Sequence, residues 1–109
     1  MATWDDFEKI DMRVGTIVEV NDFPKAKKPA YQLKIDFGAL GIKASSAQIT
    51  SFYTKDTLLE KQVIAVVNFP PKQIANFISE CLVLGVYTEN KEVILLQPER
   101  GVLNGGKIG

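Results

Sequence analysis

The clearest pattern in the chain is an alternation of apolar and polar residues that recurs in short stretches. Between Met12 and Val20 every second residue is Met, Val or Thr, and between Tyr31 and Phe37 every second residue is aromatic or aliphatic. A period of two is typical of β-strands with one buried face. The pattern predicts five or six short strands, the first with a bend or bulge at Gly15. Their expected ranges are Met12–Val20, Tyr31–Phe37, Ile42–Ala47, Gln62–Asn68, Cys81–Tyr87 and Glu92–Leu96.

Helical patterns are few and short. Near the N-terminus a Thr is followed three residues later by Asp, which is a capping-box arrangement, and it predicts a helix over roughly Thr3–Lys9. A second helix is expected over Thr50–Leu59, with Thr50 or Ser51 as its cap. The stretch Lys72–Phe77 is compatible with one loose turn of helix.

The order of these elements favours an all-β fold. A five-stranded barrel with a short N-terminal helix, and with a second helix between strands three and four that plugs one end, is the arrangement of the oligonucleotide-binding (OB) fold. A two-layer sandwich would usually need more strands. The length of 109 residues supports one domain, residues 1–109, and the hydrophobic content of 46% is enough for a core. A domain of this size leaves much of its surface exposed to solvent, so dimerisation is a route to burying more apolar surface.

The net charge and its distribution limit the kinds of ligand that the protein could bind tightly, but they do not select one. Thirteen basic and thirteen acidic residues cancel, which argues against an avid, salt-driven nucleic-acid binder. The charges are uneven, however, because residues 12–55 carry seven basic side chains against three acidic ones. This distribution is compatible with a weak basic face on a neutral protein.

The chain lacks the usual chemistry of an enzyme. It has no histidine, so the commonest general base, the Ser–His and Cys–His pairs and the commonest zinc ligand are all missing. Cys81 alone makes neither an internal disulfide nor a structural zinc site, and its apolar neighbours indicate a buried thiol. No GxxxxGK[ST] phosphate loop occurs, and nothing marks chemistry by carboxylates alone. We therefore expect a binding protein and not an enzyme, with no metal and no cofactor.

The expected location is the cytoplasm. No segment approaches the ~18 to 20 apolar residues that span a bilayer, so no membrane insertion is expected. The N-terminus is acidic and lacks the basic and apolar regions of a signal peptide. A single reduced cysteine also fits this compartment.

Three stretches are distinctive when taken together. They are Met12–Val18 (MRVGTIV), Ser45–Thr50 (SSAQIT) and Val66–Phe77 (VVNFPPKQIANF), the last followed by Ser79–Glu80. With these residues the whole chain resembles the tRNA-binding domain family, an OB-fold group. That family includes the appended domain of methionyl-tRNA synthetases and free-standing dimeric tRNA-binding proteins.

Further residues draw the chain toward one branch of that family, a set of small dimeric chaperones linked to protein secretion. They are the run Phe23–Tyr31, the turn Asp36–Gly38 and the ending Leu96–Pro98 with Asn104–Gly105. The resemblance implies a homodimer that binds tRNA and also unfolded or preprotein chains. It also implies that the N-terminal helix and the C-terminal tail meet their copies across a two-fold axis, which agrees with the need to cover apolar residues there. Those residues are Trp4, Phe7, Val102, Leu103 and Ile108.

The chain departs from the family pattern in two places. Family members usually carry Ala-Asp-Lys-Leu in the loop after strand one, where this chain has the longer run Ala26–Ala30 (AKKPA). They usually follow the Ser–Glu pair with Gly–Met, where this chain has Cys81–Leu82. Both departures bear on tRNA binding more than on the fold.

The expected ligand face of an OB barrel is formed by its middle strands and the flanking loops. Lysines there attract phosphate, whereas Ser, Asn and Gln offer neutral hydrogen bonds. The candidates for nucleic-acid binding are Lys27, Lys28, Lys43, Ser45, Ser46, Gln48, Lys72, Gln73 and Ser79. The candidates for peptide binding are Asn68, Phe69, Pro70, Pro71 and Phe77.

Each candidate has an ordinary structural alternative. The lysine run is equally typical of a solvated loop, the paired serines of a strand end that satisfies its own backbone, and Asn68 of a turn. Tyr31 and Phe37 share a parity with core positions, which favours packing over stacking on bases. Two functions therefore remain open: a chaperone for extended peptides, and a tRNA-binding module that recognises shape and backbone.

Overall fold

The strand around which the others are arranged is β1 (Met12–Asp22), the longest in the protein. In the computed structural model, which describes all 109 residues, the second half of β1 pairs antiparallel with β2 (Tyr31–Asp36). Its first half pairs on the other edge with β4 (Gln62–Val66). The register of β1 against β2 shifts between Ile17 and Glu19, which marks a β-bulge. A bulge bends a strand, so β1 can serve both sides of a curved sheet.

The remaining elements complete a nearly closed antiparallel barrel. Five strands form one sheet in the order β3–β2–β1–β4–β7, where β3 is Ile42–Ala47 and β7 is Leu82–Val83. Two hairpins stand beside it: β5 (Lys72–Ile74) with β6 (Phe77–Ser79), and β8 (Gly85–Tyr87) with β9 (Val93–Leu95). The helices are α1 (Trp4–Glu8) and α2 (Lys55–Leu58), with a 3₁₀ turn at Gly38–Leu40.

The barrel closes where the segment between β6 and β7 lies against the outer edge of β3. The backbone N–H of Glu80 donates to the carbonyl of Ala44 at 2.8 Å, and the N–H of Ala44 donates to the Glu80 carboxylate at 2.9 Å. Two residues further along β3, the N–H of Ser46 donates to Oγ of Ser79 at 3.1 Å. These bonds occupy backbone groups that an exposed edge strand would offer to another chain.

The core fills the barrel with aliphatic side chains and one aromatic ring. Leu33, Ile35 and Phe37 come from alternate positions of β2 and its end, and all three are fully buried. Leu58 of α2 is also fully buried and joins this cluster, so the helix after β3 does plug the barrel. No buried side-chain nitrogen or oxygen lacks a hydrogen-bond partner. The predicted five-stranded OB barrel is confirmed.

Helix prediction succeeded for α1 and was only partly right for α2. The capping box of α1 is present, with Thr3 and Asp6 bonded reciprocally. The second helix is much shorter than predicted, because it begins at Lys55 and its cap is Thr54. The residues before it form a turn whose Tyr53 carbonyl accepts a hydrogen bond from the Tyr31 hydroxyl at 2.8 Å.

Three local predictions were wrong, each for a tertiary reason. The stretch 72–77 is not a turn of helix but most of the β5–β6 hairpin, which reverses at Ala75 in the left-handed region (φ 52°). The predicted fifth strand divides into two, because β7 pairs with β4 whereas β8 pairs with β9. The bulge of β1 lies after Ile17, and Gly15 sits in regular register opposite Val63.

Gly15 has a different role from the predicted one. A Cβ atom at this position would lie 2.6 Å from Cγ2 of Ile35 and 2.7 Å from the ring of Phe37. Those neighbours are fully buried and have no room to move apart. The absence of a side chain at Gly15 therefore leaves the space against β1 that Ile35 and Phe37 occupy.

We expect Gly15→Ala to lower the free energy of unfolding by about 1–3 kcal/mol, because overpacking a dense core displaces buried side chains. Urea titration followed by far-ultraviolet circular dichroism measures this change. Gly101→Ala is the matched control, since a Cβ there would meet nothing within 4 Å, and we expect a change within about 0.5 kcal/mol. Equal stability of the two variants would contradict the proposed packing role of Gly15.

Candidate ligand-binding site

The β5–β6 hairpin forms one wall of the candidate site. The hairpin is held to the barrel through β3 and through the ring of Phe77, whose centroid lies 5.5 Å from that of Phe23. Because side chains alternate along a strand, Lys72 and Ile74 share one face of β5 while Gln73 points the other way. Two depressions open beside the Lys72–Ile74 face.

The first depression, here named the apolar groove, has a volume of about 310 Å³. Its exposed hydrophobic surface comes from Phe69, 42% exposed, and Leu82, 49% exposed, beside Pro70. Lys72 and Glu80 supply opposite charges at its walls. The complete lining consists of Ser46, Phe69, Pro70, Lys72, Ile74, Ser79, Glu80, Cys81 and Leu82.

The second depression, here named the basic depression, has a volume of about 400 Å³. It lies between the loop after β1 and the tip of the hairpin. Three lysines and no acidic residue line it. Ser46 and Ile74 line both depressions, so the two adjoin. The complete lining consists of Lys25, Ala26, Lys27, Lys28, Ala30, Ser46, Gln48, Ile74 and Ala75.

The structure brings together most of the residues singled out in the sequence. From the nucleic-acid set, Lys27, Lys28 and Gln48 line the basic depression, Lys72 and Ser79 line the apolar groove, and Ser46 lines both. From the peptide set, Phe69 and Pro70 line the apolar groove. Six of the named residues line neither: Lys43, Ser45, Asn68, Pro71, Gln73 and Phe77.

Several other candidate side chains are engaged in contacts within the protein. Ser45 is fully buried, and its hydroxyl donates to the carbonyl of Cys81 at 2.9 Å. Ser79 accepts from the Ser46 N–H and donates to the same Cys81 carbonyl at 3.3 Å. Phe77 packs on Phe23. Of these three, only Ser79 lines a depression, and the hydroxyls of both serines already have hydrogen-bond partners.

Asn68 connects the site to the N-terminal helix. Its Nδ2 donates to the carbonyl of Lys9 at 2.8 Å, and its Oδ1 accepts from the N–H of Asp11 at 2.9 Å. Both groups belong to the segment that links α1 to β1. Asn68 thus holds the end of α1 at the point where the chain enters Phe69 and Pro70 of the apolar groove.

Glu80, Leu82 and Lys25 also line the depressions, although no pattern in the sequence indicated this. The Ser–Glu pair was recognised as a family motif, yet nothing in its spacing indicated that the glutamate side chain reaches β3. Leu82 fell within a strand predicted from its apolar run, so its 49% exposure could not be foreseen.

A separate apolar surface lies at the N-terminal helix. No residue of α1 is buried, and the exposed fractions are 88% for Trp4 and 41% for Phe7. Two adjoining depressions of about 430 and 300 Å³ are lined by these two rings, and Ile108 of the tail lines the second. Val102 and Leu103 are also exposed but line neither depression.

The C-terminal tail is fixed to the first half of β1. The N–H of Gly105 donates to the carbonyl of Val14 at 2.7 Å, and the N–H of Ile108 donates to the carbonyl of Met12 at 2.9 Å. Gln62 also binds both backbone groups of Val102. These bonds hold Ile108 beside α1.

Neither helix is long and apolar enough to cross a membrane. No three His, Cys, Asp or Glu side chains lie together in a way that could hold a metal ion.

Comparison with known proteins connects this architecture to a family. The sequence model of the tRNA binding domain family matches residues 12–107, which include both walls of the apolar groove and the basic depression. The chain belongs to the tRNA-binding domain family. The methionine–tRNA ligase of Thermococcus onnurineus is 35% identical to it over 105 residues. Those residues are 96% of this tRNA-binding domain and 14% of the ligase, so the chain spans about one seventh of the length of that relative.

Two solved structures resemble this tRNA-binding domain over its whole length. The CsaA chaperone of Picrophilus torridus is 62% identical with a TM-score of 0.94, and each chain is covered completely. The CsaA chaperone of Bacillus anthracis is 50% identical with a TM-score of 0.96, covering 100% of this chain and 99% of that one. Both the resemblance to the family and the resemblance to its chaperone branch are confirmed.

Cys81 is the residue of the tRNA-binding domain whose acidity is most altered. Burial raises the pKa of its thiol to about 11, against smaller opposing effects of the Ser45 hydrogen bond and the Lys43 charge. The thiol is 5% exposed and its Sγ lies 3.7 Å from the carbonyl of Ala44. It is therefore protonated at neutral pH and is a poor nucleophile.

The raised pKa of Cys81 predicts a loss of stability in alkali. Above its ordinary pKa of 9.0 the thiol ionises in the unfolded chain, whereas in the folded protein it stays protonated until about pH 11. The free energy of unfolding should therefore fall by about 2 kcal/mol more in the unsubstituted protein than in Cys81→Ala between pH 8 and pH 11. Urea titrations across this range measure the difference, and parallel pH profiles would contradict it.

Proposed function

We propose that this protein is a homodimeric chaperone that binds extended segments of unfolded or preprotein chains in its apolar groove. It would act in the cytoplasm, on proteins destined for secretion, and residues 1–109 would work as one OB domain. The observation that carries this proposal is the groove itself, where Phe69 and Leu82 remain about half exposed beside a proline. The 62% and 50% identity to CsaA chaperones supports the same function.

The walls of the groove suit an extended peptide. An apolar side chain that enters it would cover Phe69 and Leu82 and gain about 25 cal/mol for each Å² of apolar surface removed from water. The adjoining Pro70–Pro71 pair restricts the backbone, so little conformational entropy would be lost on binding. Lys72 and Glu80 at the walls provide hydrogen-bonding groups for a peptide backbone.

The dimer in this proposal uses the apolar surface of α1. A helix of five residues is too short to be stable by itself, and α1 buries none of its side chains in its own protomer. Packing Trp4, Phe7 and Ile108 against a second copy would cover them. The surfaces of Val102 and Leu103 are proposed as part of the same interface, as the family resemblance implies.

A second function, tRNA binding, is supported by the basic depression and by the family. The loop after β1 carries Lys25, Lys27 and Lys28 beside Gln48, a combination suited to phosphate and sugar groups. Lys43 and Lys72 would extend this surface. The methionine–tRNA ligases of several archaea share the domain, which supports an RNA role for it.

We expect Phe69→Asp to abolish protection of an unfolded client, because a carboxylate would be placed in the apolar groove. The measurement is light scattering of a chemically denatured client diluted into pure protein. Phe52→Asp is the matched control, since Phe52 is 52% exposed and lines none of the depressions described above, and it should protect as the unsubstituted protein does.

The same preparations separate the two functions. If the unsubstituted protein protects no client but retains tRNA on a filter at low salt, and if Lys43→Glu lowers that retention, the tRNA-binding function is the correct one. Loss of protection in both aspartate variants would show that the effect of Phe69→Asp is not specific to the groove.

The dimer has its own test. The unsubstituted protein should sediment at about twice the chain mass of 12.1 kDa, and Trp4→Asp should sediment as a monomer because a charge would be buried at the interface. Since Trp4 is 88% exposed in the protomer, the variant should keep its far-ultraviolet circular dichroism. A monomeric unsubstituted protein would rule out the proposed interface.

A further inference from the structure

The apolar groove and the basic depression are separated by one short strand. Lys72 at the start of β5 lines the groove, Ala75 just beyond its end lines the basic depression, and Ile74 lines both. Three residues of strand at ~3.3 Å each place the two ends about 10 Å apart. A peptide extended alongside β5 would therefore place side chains about three residues apart into the two depressions.

The two depressions differ in charge. In the groove, Lys72 is balanced by Glu80. In the basic depression, Lys25, Lys27 and Lys28 have no acidic neighbour among the lining residues, and none of the three takes part in an ion pair. A ligand that fits both would be apolar at one point and negatively charged at the other.

We infer that the basic depression is a second subsite for the same peptide. The preferred segment is extended and carries an apolar side chain and, about three residues away, one or two carboxylates. This inference rests on the peptide-binding function proposed above and specifies its substrate class.

The lining of the two depressions favours an acidic peptide over RNA. A nucleic acid carries a phosphate at every nucleotide, and the Glu80 carboxylate in the groove would repel it. Phe69 is the only aromatic residue in either lining, whereas proteins that bind single strands stack successive bases on aromatic rings. The walls of the basic depression are instead Ala26, Ala30 and Ala75, which suit a narrow peptide chain.

The test uses fluorescein-labelled peptides of about twelve residues with measured anisotropy. The first has a Leu-Phe pair and, three residues on, an Asp-Asp pair; the second has Asn-Asn in place of Asp-Asp; the third keeps the first composition with the two pairs adjacent. We expect the first to bind about three- to tenfold more tightly than the other two at low salt, since two exposed ion pairs are gained. Raising the salt to about 0.5 M should remove this preference.

Substitution of the lysines localises the effect. Lys27→Gln with Lys28→Gln should bind the acidic and amide peptides with equal affinity. Lys27→Glu with Lys28→Glu should reverse the preference toward a peptide carrying Lys-Lys at the same place. Lys91→Gln is the control, because this lysine lies in the β8–β9 turn and lines neither depression, and it should keep the preference of the unsubstituted protein.

The outcomes distinguish this inference from the function on which it rests. Equal binding of the acidic and amide peptides by the unsubstituted protein overturns the second subsite and leaves the peptide-binding function intact. Failure to bind any of the peptides overturns both. If Lys27→Glu with Lys28→Glu abolishes tRNA retention but leaves the acidic preference unchanged, the depression is a site for RNA and the inference is wrong.

Discussion

The constraint on which the rest of the structure depends is the closure of the barrel at the outer edge of β3. A five-stranded sheet that curls on itself must satisfy the backbone of its last strand, and here β7 is too short to do so by ordinary pairing. Ser79 and Glu80 satisfy the backbone of β3 instead. Ser79 does so with its hydroxyl, and Glu80 with its carboxylate and its backbone N–H. The hairpin that precedes them is thereby held against β3, and both depressions lie at that junction.

The sequence was most informative where structure is local. Alternation of apolar residues located β2 and β3 closely, and a Thr–Asp spacing located the cap of α1. The barrel followed from the order of these elements. The absence of histidine removes the commonest general base and zinc ligand, and residue type alone makes the loop lysines and Phe69 candidate site residues.

The remaining features depend on contacts between residues far apart in sequence. Position 15 has no room for a side chain because Ile35 and Phe37 pack against it. Ser45 can be buried because its hydroxyl donates to the carbonyl of Cys81. The β5–β6 hairpin arose from a stretch whose composition resembled a helical turn. For Gly15 and Ser45 the deciding partner is at least 20 residues away, and no periodicity within the stretch itself could reveal it.

One side-chain amide, that of Asn68, connects two surfaces of the protein. The side chain of Asn68 binds the end of α1 with both of its polar atoms and stands next to Phe69 at the mouth of the groove. A substitution here would disturb the apolar helix and the groove in a single step. The position of the N-terminal helix and the shape of the groove are therefore coupled through a single residue.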